Sequence, residues 1–191
     1  VHPLEKIEIK EDTMDISKTH LMFGFVAPKF SDEKDSMALD VLSSILTDGK
    51  SSILNQILKE QKQLVISINS GNYSQKDSGI FYILATLDPK NEQCVKKEIL
   101  EQLKKIQNGE LSDESIERAK KLIKTDTYYS RESISNISSE LGYMFTFSNN
   151  ENYYDNYIKN IENITKQDII KASKKYLLLD KYALSVVRPT G

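Results

Sequence analysis

The sequence has 191 residues, of which 39% are hydrophobic and 28% are charged, and this is enough for one domain with a substantial core. The formal net charge of −2 provides no positive field that would attract nucleic acid or an anionic membrane surface. No apolar run approaches the roughly 20 residues of a membrane-spanning helix, and no signal peptide is recognisable at the start.

The first half of the sequence predicts two pairs of strands separated by two helices. A short strand is expected over 2–10, ended by the polar residues 12–15, and a longer apolar run over 18–27 indicates a central strand. A helix follows from a cap at Ser31 or Asp32 and stops near Gly49. Ser51 or Ser52 is expected to cap a second helix. Two further strands are predicted over 64–68 and 79–87.

The second half predicts four or so helices and a closing strand. Asp88 and Pro89 begin the first helix, and Ser112 caps a long one that breaks near Ser130. Helical spacing resumes over 134–141 and again over 153–161. Thr165 and Asp168 have the spacing of a capping box, and 182–187 reads as a strand.

This order of elements predicts the fold class. Consecutive strand pairs favour antiparallel hairpins, and clustered helices must cover one face of the sheet. We expect an α+β two-layer sandwich over 1–191, a single domain with a mainly antiparallel sheet of about five to six strands and helices on one face.

The residues alone predict no catalytic or metal site. The two histidines, His2 and His20, have no acidic partner at fixed spacing, whereas a zinc site needs three or four convergent ligands. His20 is interpreted as a structural strand residue. Cys94 is the one cysteine, so no disulfide can form within the chain, and its helical context predicts a half-buried structural thiol.

Motifs in a fixed order run through most of the chain. In the closing stretch they are Leu141-Gly142-Tyr143, Tyr153-Tyr154-Asp155, Ile164-Thr165, Asp168, Lys175-Tyr176-Leu177, Asp180 and Val186-Val187-Arg188-Pro189. Earlier ones are Thr19-His20-Leu21, Gly24-Phe25, 38–46, Ser51-Ser52, Leu54, Gln56, 109–120 and Glu132-Ser133. Together they resemble the C-terminal, metal-free half-domain of pitrilysin/insulinase-type zinc peptidases, and are similar to bacterial processing-peptidase-like proteins.

The resemblance implies a two-half enzyme. The N-terminal half of such peptidases carries an inverted zinc motif, His-x-x-Glu-His, in which the glutamate activates a zinc-bound water. The second half lacks metal and forms a wall of the chamber. We therefore expect no catalytic residue, metal ligand or cofactor in this segment, with zinc in an N-terminal catalytic half that this segment would need as its partner.

Many members also supply an arginine and, seven residues later, a tyrosine that hold the peptide. Lys59 and Ile66 occupy those positions here. Lysine keeps the charge but not the bidentate fork of arginine, and isoleucine cannot donate a hydrogen bond. The arginine of the family's Ser-Ser-Arg-Leu segment is Ile53, and its glycine-rich loop is reduced to Gly49. Lys59, Ser52 and Gly49 are the candidate contacts with a peptide substrate, and an exposed helix lysine is the plainer reading of Lys59.

Two other readings stay open. The departures at Ile53, Lys59 and Ile66 fit a catalytically inactive structural subunit whose partner is a zinc-bearing paralogous subunit. An unrelated α+β binding module is the third possibility. In either peptidase reading, an isolated half can self-associate through the face meant for its partner.

Overall fold

The computed structural model describes residues 4–147 and 153–190, apart from the side chains of 140, 143–145, 147 and 153–155. His2 and the side chains of Tyr143, Tyr153 and Tyr154, all named in the sequence patterns, lie outside this description. Five strands are present: β1 (Glu8–Met14), β2 (Thr19–Ala27), β3 (Val65–Ser74), β4 (Gly79–Leu87) and β5 (Ala183–Pro189). The α-helices are α1 (Glu33–Thr47), α2 (Glu92–Gln107), α3 (Asp113–Ser130), α4 (Ile134–Phe147), α5 (Tyr153–Asn163) and α6 (Lys166–Tyr176). A π-helix spans Asn55–Gln61, and a short 3₁₀-helix spans Pro89–Asn91.

The strands form one sheet in the order β1-β5-β2-β4-β3. The pairs β2–β4, β2–β5 and β3–β4 are antiparallel, while β1–β5 is parallel. The prediction of a mainly antiparallel sheet of about five to six strands is therefore confirmed, and β2 is the central strand of the five. Among the described residues, helices α1 and α6 contact the sheet, as the two-layer prediction requires.

The core lies between the sheet and α1. Alternate residues of the two central strands point into it, and Phe23, Phe25 and Phe81 are at most 1% exposed. Helix α1 is buried along most of its length, with Leu39 and Leu42 fully inaccessible to solvent. At roughly 1.5–3 kcal/mol for each large apolar side chain removed from water, this layer supplies most of the stabilisation.

Two strand boundaries were predicted wrongly, for a physical reason in each case. Strand β1 runs through the polar residues to Met14, because it is an edge strand that pairs along its whole length with β5 and leaves all seven residues exposed. Strand β3 continues to Ser74, because its polar side chains hydrogen-bond to α1 and do not end the strand.

The helix ends behave largely as the sequence predicts. The Ser112 hydroxyl accepts a hydrogen bond from the Ser115 N–H, and Thr165 with Asp168 forms a reciprocal capping box. The prediction that the Cys94 thiol is half-buried was wrong. Cys94 is exposed, because it does not lie on the face of α2 that buries Val95 and Ile99.

Arg188 ties β5 to two other elements. Its Nε lies 2.7 Å from Glu92 Oε2 on α2, and its Nη2 lies 2.7 Å from Glu11 Oε1 on β1. The Glu92 side chain is only 7% exposed. Hydrogen bonding from Arg188, with a further contribution from Lys96, lowers the pKa of Glu92 to about 2. The ion pair therefore stabilises the fold at pH values above the ordinary pKa of glutamate. This contribution is lost as the pH falls toward 2.

Substituting Arg188 tests the contribution of these ion pairs to stability. Arg188→Met should lower the free energy of unfolding by about 1–3 kcal/mol at pH 7, because Glu92 then stays buried with Lys96 as its remaining cation. Urea denaturation measures the change. The exposed pair of Lys97 and Glu101 provides the control, and Lys97→Met should change stability by less than about 0.5 kcal/mol. Equal effects of the two substitutions would contradict the account.

Candidate functional site

The site predicted from the sequence is the corner formed by the end of α1, the π-helix and the start of β3. Helix α1 ends at Thr47, and Gly49 follows with φ of 75°, a left-handed conformation that glycine adopts without a Cβ clash. The π-helix packs against β3. The three predicted contact residues, Gly49, Ser52 and Lys59, all lie in this corner.

The loop between α1 and the π-helix is held by side-chain amides. Asn55 Nδ2 donates to the Thr47 carbonyl at 2.6 Å and to Ser52 Oγ at 3.0 Å, and Gln56 Nε2 donates to the Lys50 carbonyl at 3.2 Å. Ser52 is fully buried, and its hydroxyl donates to the Gly49 carbonyl at 2.7 Å. Ser52 thus shapes the loop from inside and does not cap a helix as predicted, while Gly49 stays on the surface.

Lys59 lies on the π-helix and is exposed. Within the described part of the chain its ammonium group has no ion pair or hydrogen bond, whereas its neighbour Lys62 is paired with Glu98. A π-helix is a rare form of helix that is found frequently at functional sites. Lys59 is therefore a free cation on irregular backbone.

Ile66 lies on a second irregularity. The register between β3 and β4 shifts between Val65 and Ser67, so Ile66 stands in a β-bulge, and it is 49% exposed. Bulges are over-represented beside active sites, where they redirect a side chain. Lys59 and Ile66, the two positions that the resemblance suggests for holding a peptide, are thus both on distorted backbone and both exposed.

Gln63 lies between the π-helix and the β-bulge and is a third irregularity of the backbone. Its φ of 50° is left-handed, although it is not glycine. The Leu64 N–H donates to the Leu58 carbonyl at 2.7 Å across it, which closes the π-helix. A residue with a Cβ in this conformation costs on the order of 1 kcal/mol.

Arg118 of α3 reaches the same loop from a distance of 67 residues in sequence. Its Nη1 donates to Ser51 Oγ, while its Nε and Nη2 are buried and, within the described residues, have no hydrogen-bond partner. Sequence reasoning missed the roles of Asn55 and Arg118. Asn55 stands beside the quoted motif, but Arg118 carries no local signal because its contact is formed only by the fold.

The described residues contain no group of three or more His, Cys, Asp and Glu side chains that could hold a metal ion. His20 is exposed on β2, with Nδ1 3.3 Å from Thr86 Oγ1. The donor set described here does not fit a zinc site. In the same ranges, no helix is long and apolar enough to cross a membrane.

The sheet face opposite the helices is apolar and open. The small residues Gly24 and Ala183 lie opposite each other on β2 and β5 and form the floor of a cavity of about 290 Å³. Its rim includes Tyr73, 50% exposed, and Ile80, 39% exposed. Among the residues that the structure describes, no charged side chain lines this cavity, so the surface is suited to cover by another apolar surface.

Comparison with known proteins identifies the class. Residues 1–123 match the family described as the peptidase M16 inactive domain, and the chain belongs to this family. This confirms the expected relation to the metal-free half of zinc metallopeptidases, and the related proteins are zinc protease-like.

Two curated relatives and one solved structure give the extent of the similarity. The chain is 28% identical over 154 residues to the zinc protease PqqE of Helicobacter pylori, covering 80% of this chain and 34% of that protein. It is 28% identical over 185 residues to the probable inactive metalloprotease YmfF of Bacillus subtilis, covering 96% and 43%. A protease structure from Helicobacter pylori superposes with a TM-score of 0.87 at 24% identity, covering 98% and 46%. The chain thus spans less than half the length of these relatives.

The left-handed residue offers a stability test. Gln63→Gly should raise the free energy of unfolding by about 0.5–1 kcal/mol, because glycine adopts the conformation without a Cβ clash. Gln61→Gly, at the end of the π-helix, is the matched control and should lower stability by about 0.5–1 kcal/mol. Both changes are read from urea midpoints. A loss of stability in Gln63→Gly would show that the side chain, not the backbone, determines this turn.

Proposed function

We propose that this domain is the non-catalytic C-terminal half of a zinc metalloendopeptidase, forming a wall of the peptide chamber opposite the zinc-bearing half. The free Lys59 ammonium group on the π-helix carries the proposal. Membership of a family described as inactive supports the absence of chemistry in this half. Hydrolysis would take place on zinc in the N-terminal half, and no catalytic step is assigned to the residues of this chain.

Lys59 would contact the peptide backbone or a peptide carboxylate. An ammonium group donates up to three hydrogen bonds, and as a point charge it tolerates several acceptor positions. A contact of this kind is weaker and less directional than the arginine fork found in many relatives. Lys59 should therefore contribute to peptide affinity more than to the geometry of the bond to be cleaved.

Ile66 would supply apolar contact area beside Lys59, since it cannot donate a hydrogen bond. The exposed Gly49 at the tip of the loop would let the peptide main chain approach closely, as glycine leaves open space where a Cβ would stand. Ser52, being buried, would act by holding this loop in place.

The departures from the family pattern favour one alternative. With isoleucine at both Ile53 and Ile66, the domain could serve a catalytically inactive structural subunit that works with a zinc-bearing paralogous subunit. The name of one relative, probable inactive metalloprotease, is consistent with this reading. The two proposals differ in where the zinc motif resides: in the same polypeptide, or in a separate partner.

Lys59→Met tests the peptide contact. In the protein assembled with its zinc-bearing half, Lys59→Met should raise KM for an extended peptide about 3–10-fold with kcat nearly unchanged, because binding of ground and transition states is lost equally. Lys59→Arg should restore or improve KM. Lys121→Met, at an exposed lysine of α3, controls for the loss of charge. An unchanged KM in Lys59→Met would overturn the contact.

The open sheet face is the proposed surface for the partner half or subunit. The isolated domain should therefore self-associate at high concentration through the apolar cavity rim. Ile80→Asp should shift sedimentation toward the monomer. The control is Ile137→Asp on α4, where the residue is similarly exposed, 37% against 39% for Ile80. A wild-type domain that stays strictly monomeric at millimolar concentration would argue against this surface.

A further inference from the structure

A ladder of buried and half-buried polar side chains connects α1 to the edge strand β3. Along α1 it consists of Ser36, Asp40, Ser43 and Thr47, one helical turn apart, and along β3 of Ser70, Asn72 and Ser74 at alternate positions. We call these seven residues the polar seam. Serine and threonine hydroxyls across the seam lie 2.8–3.0 Å apart.

Asp40 lies at the junction of the seam with α5. Its Oδ1 accepts a hydrogen bond from Asn72 Nδ2 at 2.9 Å, and its Oδ2 accepts one from the Tyr157 hydroxyl at 3.0 Å. Three elements, α1, β3 and α5, therefore meet at one carboxyl group. Burial raises the pKa of this carboxyl to about 6, against the smaller lowering effect of the two hydrogen bonds.

The seam also lacks one donor. Among the described residues, Asn72 Oδ1 is buried without a hydrogen-bond partner, although the amide nitrogen of the same side chain donates to Ser36 and Asp40. A buried amide oxygen without a donor is costly. A proton on Asp40 would add an O–H donor to the polar seam, which an ionised carboxylate cannot supply.

We propose that Asp40 is a proton-binding site that controls how firmly α5 is held against α1 and β3. When α5 separates, the Tyr157 side chain no longer covers the carboxyl group, which becomes hydrated and ionises readily. Protonation therefore favours the closed arrangement of α5, and ionisation favours its release. This inference does not depend on the proposed peptidase role.

The charges on neighbouring elements do not account for the raised pKa of Asp40. The contacts from β3 and α5 are the uncharged Asn72 and the phenol of Tyr157, and no charged side chain among the described residues shifts the pKa of Asp40. On the helices packed against α1, Lys175 of α6 pairs with Asp35, Asp168 of α6 pairs with Lys34, and Arg118 of α3 donates to Ser51. Desolvation by its own surroundings is thus the cause.

Hydrogen exchange of the α5 amides tests the proposal directly on this chain. After correction for intrinsic rates, protection of 153–163 should be about 10-fold higher at pH 5 than at pH 8, as expected for a carboxyl group whose pKa is about 6 while α5 covers it and ordinary once α5 separates. Asp40→Asn should abolish this dependence on pH. Asp35→Asn, at a carboxyl group of α1 paired with Lys175, should leave it intact.

Tyr157→Phe separates the hydrogen bond from the covering ring. It should keep the dependence on pH and move its midpoint upward, since one hydrogen bond to the carboxylate is lost. Equal protection at the two pH values, or an unchanged dependence in Asp40→Asn, would overturn the proposal. If Asp40→Asn does not fold, the ¹³Cγ resonance of Asp40 in the wild type decides: a midpoint near 6 supports the site, and one near 4 overturns it.

Discussion

The attachment of the edge strand β3 to α1 is the constraint on which the candidate site depends. The central strands are held by apolar packing, but β3 lies at the edge, with β4 on one side, and is fixed to α1 by hydroxyl and amide contacts. The start of β3 carries the bulge at Ile66, and the π-helix that leads into it carries Lys59. The polar seam therefore sets the position of the proposed peptide-contact residues relative to the core.

This arrangement explains why the irregular backbone lies where it does. The loop after α1 has its carbonyl groups fixed by Asn55 and Gln56, and the chain must then reach the β3 edge within a few residues. It does so with a π-helix, a left-handed Gln63 and a bulge, each less stable than regular structure. Irregular structure concentrated in one corner, and exposed there, is the pattern expected of a binding surface supported by a rigid domain.

The sequence predicted most of the fold, because apolar periodicity and turn residues act locally. Strand β4 was placed with its observed bounds, and the capping box at Thr165 formed as its spacing predicts. The errors were tertiary in origin. The polar residues of β3 were predicted to form a turn, because their hydrogen-bond partners on α1 are visible only in the fold. Cys94 was predicted to be half-buried, because the orientation of α2 cannot be read from its sequence. The site was located by its resemblance to a family, whereas the roles of Asn55, Arg118 and Asp40 required the three-dimensional structure.

The central claim is that this domain takes part in peptide hydrolysis without performing it. The most direct measurement is kcat/KM for an extended peptide with the zinc-bearing half alone, and again after addition of this domain. The account predicts that this domain has no activity by itself and that the zinc-bearing half gains activity by at least an order of magnitude when the two are combined. Equal activity of the zinc-bearing half with and without this domain would contradict the account.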